Sequence, residues 1–422
     1  MSMNIRIKGR TKLSGEITPS GSKNSAVAMI PASLMFSGTT TLHNVPDITD
    51  VERLVKIMAK LGSKIDWNKD TSVITIDNSQ VTLANMAKGD LGSMRGTSLL
   101  WGPMLARFGK LVFDDLPGGC SLGARSLSPH YQAFSDLGVE VIQTNNSLTM
   151  DAQNAKASEI WLTEMSPTVT ENVLMLASTL PGHTKIVGAC SDPQVQDLCE
   201  FLTTAGVKIT GIGSSILEVD GIKLPENHQH TIWPDHYEIA TFLALGAATD
   251  GNITVHHNLQ KQLMPIWRTF EDFGIKLHHT ETSTTINGPV IKAPKIVRAQ
   301  PWPALLVDLL PIFIPLALKA EHSHVLFHNW MYEAGLFWTS ELSKFGAEVV
   351  MCDPHRIIVM GGNKLKGDKI EAPYIIRAVV SLAMCAMMAG GESIILNADS
   401  LYRGHPRFAE NLKKLGAQIE EI

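Results

Sequence analysis

The chain has 422 residues, which is more than one ordinary hydrophobic core organises, so two or more domains are expected. Hydrophobic residues make up 44% of it and charged residues 18%, a composition that excludes a disordered chain. The net charge of −5 gives no general attraction to nucleic acid or to acidic membranes. The five cysteines form no CxxC pair, which leaves no zinc-binding pattern and favours a reducing compartment.

The N-terminal segment, which begins Met1-Ser2-Met3, lacks the apolar core of a signal peptide. The longest apolar run covers residues 305–318 and is interrupted by Asp308, Pro311 and Pro315. It falls short of the roughly 20 apolar residues that a membrane-spanning helix needs. We therefore expect a soluble cytoplasmic protein with no membrane segment and no nucleic-acid partner.

One short phrase recurs six times: an apolar residue or Ala, then glycine, any residue, a polar residue and an aliphatic one. The first copy is Leu61-Gly62-Ser63-Lys64-Ile65 and the last is Leu415-Gly416-Ala417-Gln418-Ile419. The six glycines stand at positions 62, 138, 206, 274, 346 and 416. In each copy an amphipathic helix, such as 51–60, is predicted to end at the glycine in the left-handed conformation, and a strand, such as 139–143, to follow.

A second and more apolar helix is predicted in each of the six units. These helices cover residues 25–36, 95–108, 170–180, 239–248, 307–320 and 376–389. A helix that is apolar on most sides is normally buried. Six units of two helices and a few strands therefore suggest three units per domain, with the apolar helices inside and the sheets outside.

Two segments are predicted as crossings between the domains. Trp233-Pro234-Asp235 follows a Pro/His-rich stretch and falls between the third and fourth units. The other crossing is expected near Thr18-Pro19-Ser20-Gly21, with the first strand, 5–7, pairing with the C-terminal half. This organisation predicts one domain of residues 1–21 and 234–422 and a second domain of residues 22–233.

A glycine-rich loop, Leu116-Pro117-Gly118-Gly119-Cys120, precedes Arg125. Taken alone, the loop is more typical of a surface turn than of a site. Flanking glycines and a nearby cation nevertheless favour an accessible thiolate, and an arginine offers a planar fork for phosphate or carboxylate. We expect the loop to act as a mobile lid if it belongs to a site.

Four other charged residues have two interpretations each. Lys23 opens an apolar helix, where it could bind an anion or be solvated. Arg377 and Asp308 stand alone in apolar stretches, which is costly unless each is paired or functional. Asp50 could cap a helix or lie near a site, and the two interpretations are about equal.

These residues belong to a series of motifs that follow the repeat in order. The motifs are Ser20-Gly21-Ser22-Lys23-Asn24, Asn44-Val45-Pro46-Asp47-Ile48-Thr49-Asp50, Met94-Arg95-Gly96, Trp101-Gly102-Pro103, the Cys120 loop, Thr170-Glu171-Asn172, Cys352-Asp353-Pro354-His355-Arg356 and Tyr402-Arg403-Gly404. In this combination the whole chain resembles the enolpyruvyl transferases, and among them the branch that acts on UDP-N-acetylglucosamine. The resemblance implies two inside-out α/β barrel domains, each a threefold βαβαββ repeat.

The resemblance also implies a reaction. Enolpyruvyl is transferred from phosphoenolpyruvate to the 3-hydroxyl of UDP-N-acetylglucosamine, and phosphate is released. In that family this is the first committed step of peptidoglycan precursor synthesis, and it needs no metal and no organic cofactor.

Each site residue receives a role through the same resemblance. The expected catalytic residues are Cys120, for proton transfer and product release, Asp308, as base for the acceptor hydroxyl, and Lys23, on the phosphate. Cys120 also matches the residue that fosfomycin alkylates. The expected substrate-binding residues are Asn24, on the sugar nucleotide, the four arginines Arg95, Arg125, Arg377 and Arg403, around phosphoenolpyruvate, and Asp50, near the site.

Four positions depart from the family pattern. Gly335 stands where an arginine is usual and Ile375 where an aspartate is usual, while Ser126–Pro129 and Thr168 replace nucleotide-contacting residues. These changes leave two alternatives open. One is an enolpyruvyl transferase with another acceptor, such as a nucleoside monophosphate, and the other is a catalytically weak paralogue that only binds nucleotide-sugar.

Overall fold

The computed structural model describes residues 3–82, 84, 95–113, 126–144 and 147–422. These residues form two compact units. The first unit contains residues 3–20 and 234–422, and the second unit contains the described residues from 21 to 233. The chain therefore passes between units at the two segments that the sequence marked as crossings, and the prediction that each unit folds as a separate domain stays a prediction.

The apolar segments predicted from the sequence are helical. The α-helices of the described residues are α1 (Lys23–Ala32), α2 (Thr49–Lys60), α3 (Trp101–Phe108), α4 (Ser128–Asp136), α5 (Pro167–Ala177), α6 (Pro193–Thr204), α7 (His236–Ala248), α8 (Met264–Asp272), α9 (Leu310–Lys319), α10 (Ile376–Met388) and α11 (Phe408–Lys414). Short 3-10 helices cover Ser33–Met35, Arg95–Leu100, Val307–Leu309, Phe337–Phe345 and Ala398–Arg403. In the part of the chain that is described, no helix is both long and apolar enough to cross a bilayer.

Strands fill the intervals between these helices. In chain order they are β1 (Ile5–Lys8), β2 (Ser14–Ile17), β3 (Thr39–His43), β4 (Lys64–Asn68), β5 (Val73–Asp77), β6 (Lys110–Phe113), β7 (Glu140–Gln143), β8 (Leu148–Asp151), β9 (Glu159–Trp161), β10 (Gly182–Val187), β11 (Lys208–Thr210), β12 (Ile216–Gly221), β13 (His228–Thr231), β14 (Asn252–His256), β15 (Leu277–His279), β16 (Ser283–Asn287), β17 (Ile296–Arg298), β18 (His324–His328), β19 (Glu348–Asp353), β20 (Arg356–Met360), β21 (Lys369–Glu371), β22 (Glu392–Leu396) and β23 (Gln418–Glu421). The fold is α/β with mixed sheets.

The repeat appears as a recurring sheet. In the first unit the strand orders are β15-β16-β14-β2, β17-β18-β20-β19 and β21-β22-β1-β23. In the second unit they are β13-β3-β5-β4 and β11-β12-β10-β9, with a three-stranded sheet β6-β8-β7 among the described residues. Each four-stranded sheet combines one parallel pair with two antiparallel pairs.

Three of these sheets include a strand from a distant part of the sequence. The first strand, β1, lies between β22 and β23, which confirms the predicted pairing with the C-terminal half. Strand β2 pairs in parallel with β14, and β13 pairs in parallel with β3. The residues just before each crossing are therefore held by strand pairing within their own unit.

The buried helices form the cores. In the first unit α7, α9 and α10 pack on one another, and each also packs on one sheet: α7 on β14 and β16, α9 on β18 and β20, α10 on β1 and β22. All residues of α7 are buried, as a helix without a polar face requires. In the second unit α3 packs on α5, on α1 and on the 3-10 helix Ser33–Met35 that follows α1. The prediction that the apolar helices are buried is confirmed.

The six repeat glycines have the predicted backbone conformation. Their φ angles lie between 71° and 105°, a region that residues with a Cβ rarely adopt. Each follows a helix and precedes a strand or an extended segment, as at the end of α2 before β4. The recurring phrase is thus a turn signal, and its glycines have a structural role.

Candidate active site

The N-terminus of α1 places Lys23 beside a carboxylate. Ser22 caps the helix, and its side chain accepts a hydrogen bond from the Ser25 backbone N–H. Lys23 Nζ lies 2.8 Å from Asp50 Oδ2, and the two side chains are only 15% and 6% exposed. Lys23 is therefore not a solvated surface lysine, and its ammonium is held next to the positive end of a helix.

Asp50 does not cap α2, so that interpretation of its role is wrong. Helix α2 begins at Thr49, and its N-cap residue is Ile48, which makes no side-chain cap. Asp50 lies inside the first turn, where its side chain turns to Lys23. An acidic residue in a first turn still interacts favourably with the helix dipole.

Gly21 is required by the packing around this helix start. A Cβ at Gly21 would lie 1.7 Å from the carbonyl oxygen of Asn44. The Asn44 side chain in turn donates to the backbone oxygen of Ile232, and Ser22 N donates to the oxygen of Trp233. The first two motifs of the sequence therefore contact Ile232 and Trp233, at the crossing between the third and fourth units of the repeat. These contacts orient the residues that follow, Lys23 and Asn24.

One more predicted site residue of the second unit lies in α1, and another begins a 3-10 helix that contacts α1. Asn24 follows Lys23 in the first turn and is half-buried. The 3-10 helix that begins at Arg95 contacts α1. The side chain of Arg95, and all of Cys120 and Arg125, lie outside the described residues, as does the predicted lid.

Arg377 is buried in the first unit, where it contacts two side chains. It lies in the first turn of α10 and is 8% exposed. Its Nη1 lies 2.7 Å from Nε2 of His405, and its Cζ lies 4.2 Å from the ring centroid of Tyr237. Neither His405 nor Tyr237 was among the predicted site residues, although His405 directly follows the Tyr402-Arg403-Gly404 motif.

Arg403 comes next to the same helix. The 3-10 helix Ala398–Arg403 packs on α10, and Arg403 Cζ lies 5.2 Å from the ring centroid of Tyr374. The Tyr374 side chain is more than half exposed. An aromatic ring thus accompanies each of the two predicted anion-binding arginines of this unit, which orients a guanidinium without neutralising it.

Asp308 lies in the 3-10 turn that leads into α9. The predicted helix over residues 307–320 therefore begins with three 3-10 residues, Val307–Leu309, rather than as an α-helix. Asp308 is half-buried, and within the described ranges its carboxylate forms no hydrogen bond or ion pair. A carboxylate without a structural partner is available to accept a proton from a ligand.

Two of the departures from the family pattern meet in the second unit. Thr168 Oγ1 lies 3.0 Å from Nε2 of His130, which is buried and follows the Ser126–Pro129 segment in α4. The Thr168 carbonyl accepts a hydrogen bond from Asn172 Nδ2, and Ser126 Oγ accepts from Ser128 N. The changes at these distant positions are thus linked by one buried histidine.

The comparisons with known proteins agree with this architecture. The family model of EPSP synthase (3-phosphoshikimate 1-carboxyvinyltransferase) matches residues 7–412. The chain belongs to this family. It is therefore an enzyme, a transferase of carboxyvinyl (enolpyruvyl) groups.

Curated relatives cover the transferase almost end to end. A UDP-N-acetylglucosamine 1-carboxyvinyltransferase from Bacteroides thetaiotaomicron is 34% identical over 99% of both chains. Proteins of the same name from Treponema denticola and Borrelia garinii are 34% and 32% identical over 98% and 99% of this chain and 98% of each relative. The transferase thus resembles the UDP-N-acetylglucosamine branch over its whole length.

Solved structures share the fold at lower identity. The enolpyruvyl transferase NikO from Streptomyces tendae superposes with a TM-score of 0.88 at 21% identity, covering 100% of this chain and 99% of that one. An EPSP synthase from Acinetobacter baumannii gives a TM-score of 0.75 at 17% identity over all of both chains. At these identities the likeness concerns the fold of the transferase.

Proposed function

We propose that this transferase moves the enolpyruvyl group of phosphoenolpyruvate to the 3-hydroxyl of UDP-N-acetylglucosamine and releases phosphate. The observation that supports it most is the 31–34% identity, along nearly the whole chain, to relatives named for that carboxyvinyl transfer. This reaction is the first committed step of peptidoglycan precursor synthesis. We propose a cytoplasmic location for it.

The reaction is an addition followed by an elimination. The methylene carbon of phosphoenolpyruvate takes a proton, the acceptor hydroxyl attacks C2, and phosphate then leaves. The chemistry needs a general acid, a general base and dense positive charge around the donor. The proposal assigns the acid to Cys120, the base to Asp308, and the positive charge to Lys23 and the four arginines Arg95, Arg125, Arg377 and Arg403.

The described contacts support part of this assignment. Asp308 has a half-buried carboxylate that no described side chain engages, which suits a base for a hydroxyl. Lys23 is fixed by Asp50 at a helix N-terminus, which suits a phosphate. Asn24 is the next residue and is proposed to contact the sugar nucleotide. No step of this scheme draws on a metal or an organic cofactor.

We further propose that the two units are two inside-out α/β barrel domains built from three repeats each. The three mutually packed helices α7, α9 and α10, each on its own sheet, support this for the first unit. The domains would comprise residues 1–21 with 234–422, and 22–233.

The experiment is phosphate release from phosphoenolpyruvate with UDP-N-acetylglucosamine, with UMP and shikimate 3-phosphate as parallel acceptors. We expect release with UDP-N-acetylglucosamine. We expect Asp308→Asn and Cys120→Ala to lower kcat by about a hundredfold or more, the usual contribution of general acid–base groups. Asp272→Asn, which changes an exposed carboxylate of the same unit, is the matched control and should leave kcat unchanged.

The acceptor dependence decides between the alternatives. Release only with UMP would assign the changes at Ser126–Pro129 and Thr168 to a new acceptor. Binding of UDP-N-acetylglucosamine without phosphate release from phosphoenolpyruvate in the presence of any of the acceptors would contradict the proposal and favour a binding paralogue.

A further inference from the structure

Arg377 carries a buried charge that needs an opposite charge within the first unit. It is 8% exposed and lies in the first turn of α10, where the helix dipole opposes a cation. An uncompensated buried charge is strongly unfavourable. Ile375, two residues earlier, offers no carboxylate, so the compensation must come from elsewhere in the fold.

His405 is the direct partner, and its protonation state follows from the donor. A guanidinium can only donate hydrogen bonds, so the His405 Nε2 atom, 2.7 Å from Arg377 Nη1, must accept. The imidazole is therefore neutral, with its proton on Nδ1. Because His405 is fully buried, this contact has no competition from water.

The negative charge lies on the far side of the imidazole. His405 Nδ1 is 3.3 Å from Glu238 Oε1, a close polar contact that is longer than a regular hydrogen bond. Glu238 Oε2 accepts hydrogen bonds from the backbone N–H of Ser20 at 2.7 Å and from its hydroxyl at 2.8 Å. Burial favours a raised pKa for Glu238, but the close contact with His405 and the hydrogen bonds from Ser20 outweigh it and hold the pKa below its ordinary value.

The result is a row of cation, neutral imidazole and carboxylate. The Tyr237 ring fixes the plane of the Arg377 guanidinium, and His405 holds one of its edges. Within the described residues the guanidinium makes no other hydrogen bond. Its remaining N–H groups are therefore free to meet a ligand carboxylate or phosphate in the bidentate way that arginine favours.

We propose that His405 and Glu238 are positioning residues for donor binding by Arg377. Neutral His405 joins the carboxylate of Glu238 to the guanidinium, so that Arg377 keeps its full charge and one fixed orientation for the anionic groups of phosphoenolpyruvate. The inference rests on the proposed function, in which Arg377 contacts that donor. Ser20, which holds the other end of Glu238, makes the first crossing part of the same support.

Two near-isosteric variants test the arrangement. Gln places its amide oxygen near the position of Nε2, and Asn places its amide group near that of Nδ1. His405→Gln therefore keeps the contact with Arg377, whereas His405→Asn keeps only the side that faces Glu238. We expect KM for phosphoenolpyruvate to rise about tenfold or more in His405→Asn, as for loss of a charge-assisted hydrogen bond, and to rise less in His405→Gln, which loses only the contact with Glu238.

A rescue and two controls separate positioning from folding. Ile375→Asp puts a carboxylate at the N-cap of α10, close to Arg377, and should lower the raised KM of His405→Asn. Glu238→Gln preserves the packing and should also raise KM for the donor. His257→Asn, which changes a buried histidine elsewhere in the first unit, should reduce stability without changing KM.

Equal donor KM values for wild type, His405→Asn and Glu238→Gln would overturn the inference, as would equal KM increases in His405→Asn and His405→Gln. If His405→Asn does not fold, Glu238→Gln alone decides. Wild-type turnover is measured first, because its absence counts against the proposed function only. In that case titration calorimetry with inorganic phosphate replaces KM, and unchanged binding by Glu238→Gln would overturn the inference.

Discussion

The protonation state of a buried residue in this enzyme is set by the few groups that it contacts in the interior. His257 is buried and accepts a hydrogen bond at Nδ1 from Leu259 N, while its Nε2 lies 2.9 Å from Thr284 Oγ1. This geometry requires a neutral ring, since a proton on Nδ1 would break the first contact. Burial, and secondarily the neighbouring His279 and His256, lowers the pKa of His257 to about 4.

The lowered pKa of His257 predicts a loss of stability in mild acid. Between about pH 6.5 and 4 the unfolded chain binds a proton that the folded chain refuses, so the free energy of unfolding falls as pH is lowered and is unaffected above this range. The expected loss for His257 is up to about 3 kcal/mol. Urea unfolding followed by the fluorescence of Trp267, whose ring packs near His257, measures it.

His257→Asn is the matched variant, because its amide oxygen can still accept from Leu259. We expect its unfolding free energy to depend less steeply on pH than that of wild type. An unchanged pH dependence would contradict the prediction. His236, whose pKa burial also lowers to about 4, retains its own contribution in both proteins.

At the scale of the element, the loop between β18 and the 3-10 helix Phe337–Phe345 excludes the arginine that the family pattern places at position 335. A Cβ at Gly335 would lie 2.2 Å from Asn329 Nδ2 and 3.0 Å from Tyr332 Cβ. Asn329 is buried, and its Oδ1 accepts hydrogen bonds from the backbone N–H groups of Met331 and Tyr332. The Asn329 amide, which holds the loop through these hydrogen bonds, therefore occupies the space that a side chain at position 335 would need.

Gly335→Ala is accordingly expected to destabilise the enzyme. The added methyl must displace Asn329 and weaken the turn that it caps, at a cost of about 1–3 kcal/mol. Thermal unfolding compares this variant with Ala334→Ser at the neighbouring half-buried position, which should change Tm little. A Gly335→Ala protein as stable as wild type would show that Asn329 does not exclude a Cβ at position 335.

The whole molecule is organised by strands that return to a distant unit of the repeat. Strand β1 separates β22 from β23 and is paired on both sides. Ile5 and Ile7 of this strand are fully buried, and β1 also packs on α10, the helix of Arg377. The first residues of the chain are therefore part of the core that supports the site.

Removing residues 1–8 should unfold the sheet of β22 and β23 and abolish donor binding by Arg377. Two strands would lose their central partner, and the backbone of both would become unpaired. Limited proteolysis and circular dichroism measure the loss of structure. The double substitution Arg6→Gln/Lys8→Gln, which changes half-buried or exposed side chains but keeps the strand, is the control. Native protease resistance after the deletion would contradict this prediction.

The amino-acid sequence by itself determined the parts of this protein that depend on near neighbours. Apolar helices such as α7 follow from local periodicity, and the six turns follow from glycines at positive φ, so both were predicted before any packing was known. The resemblance named Lys23, Asp50 and Arg377 as site residues, but neither the pairing of Lys23 with Asp50 nor the contact of Arg377 with His405. Those partners, Asp50 and His405, stand 27 and 28 positions away in sequence and meet them only because separate elements pack together. Charge pairing across such distances depends on how helices and strands are stacked in space, and this the tertiary structure alone decided.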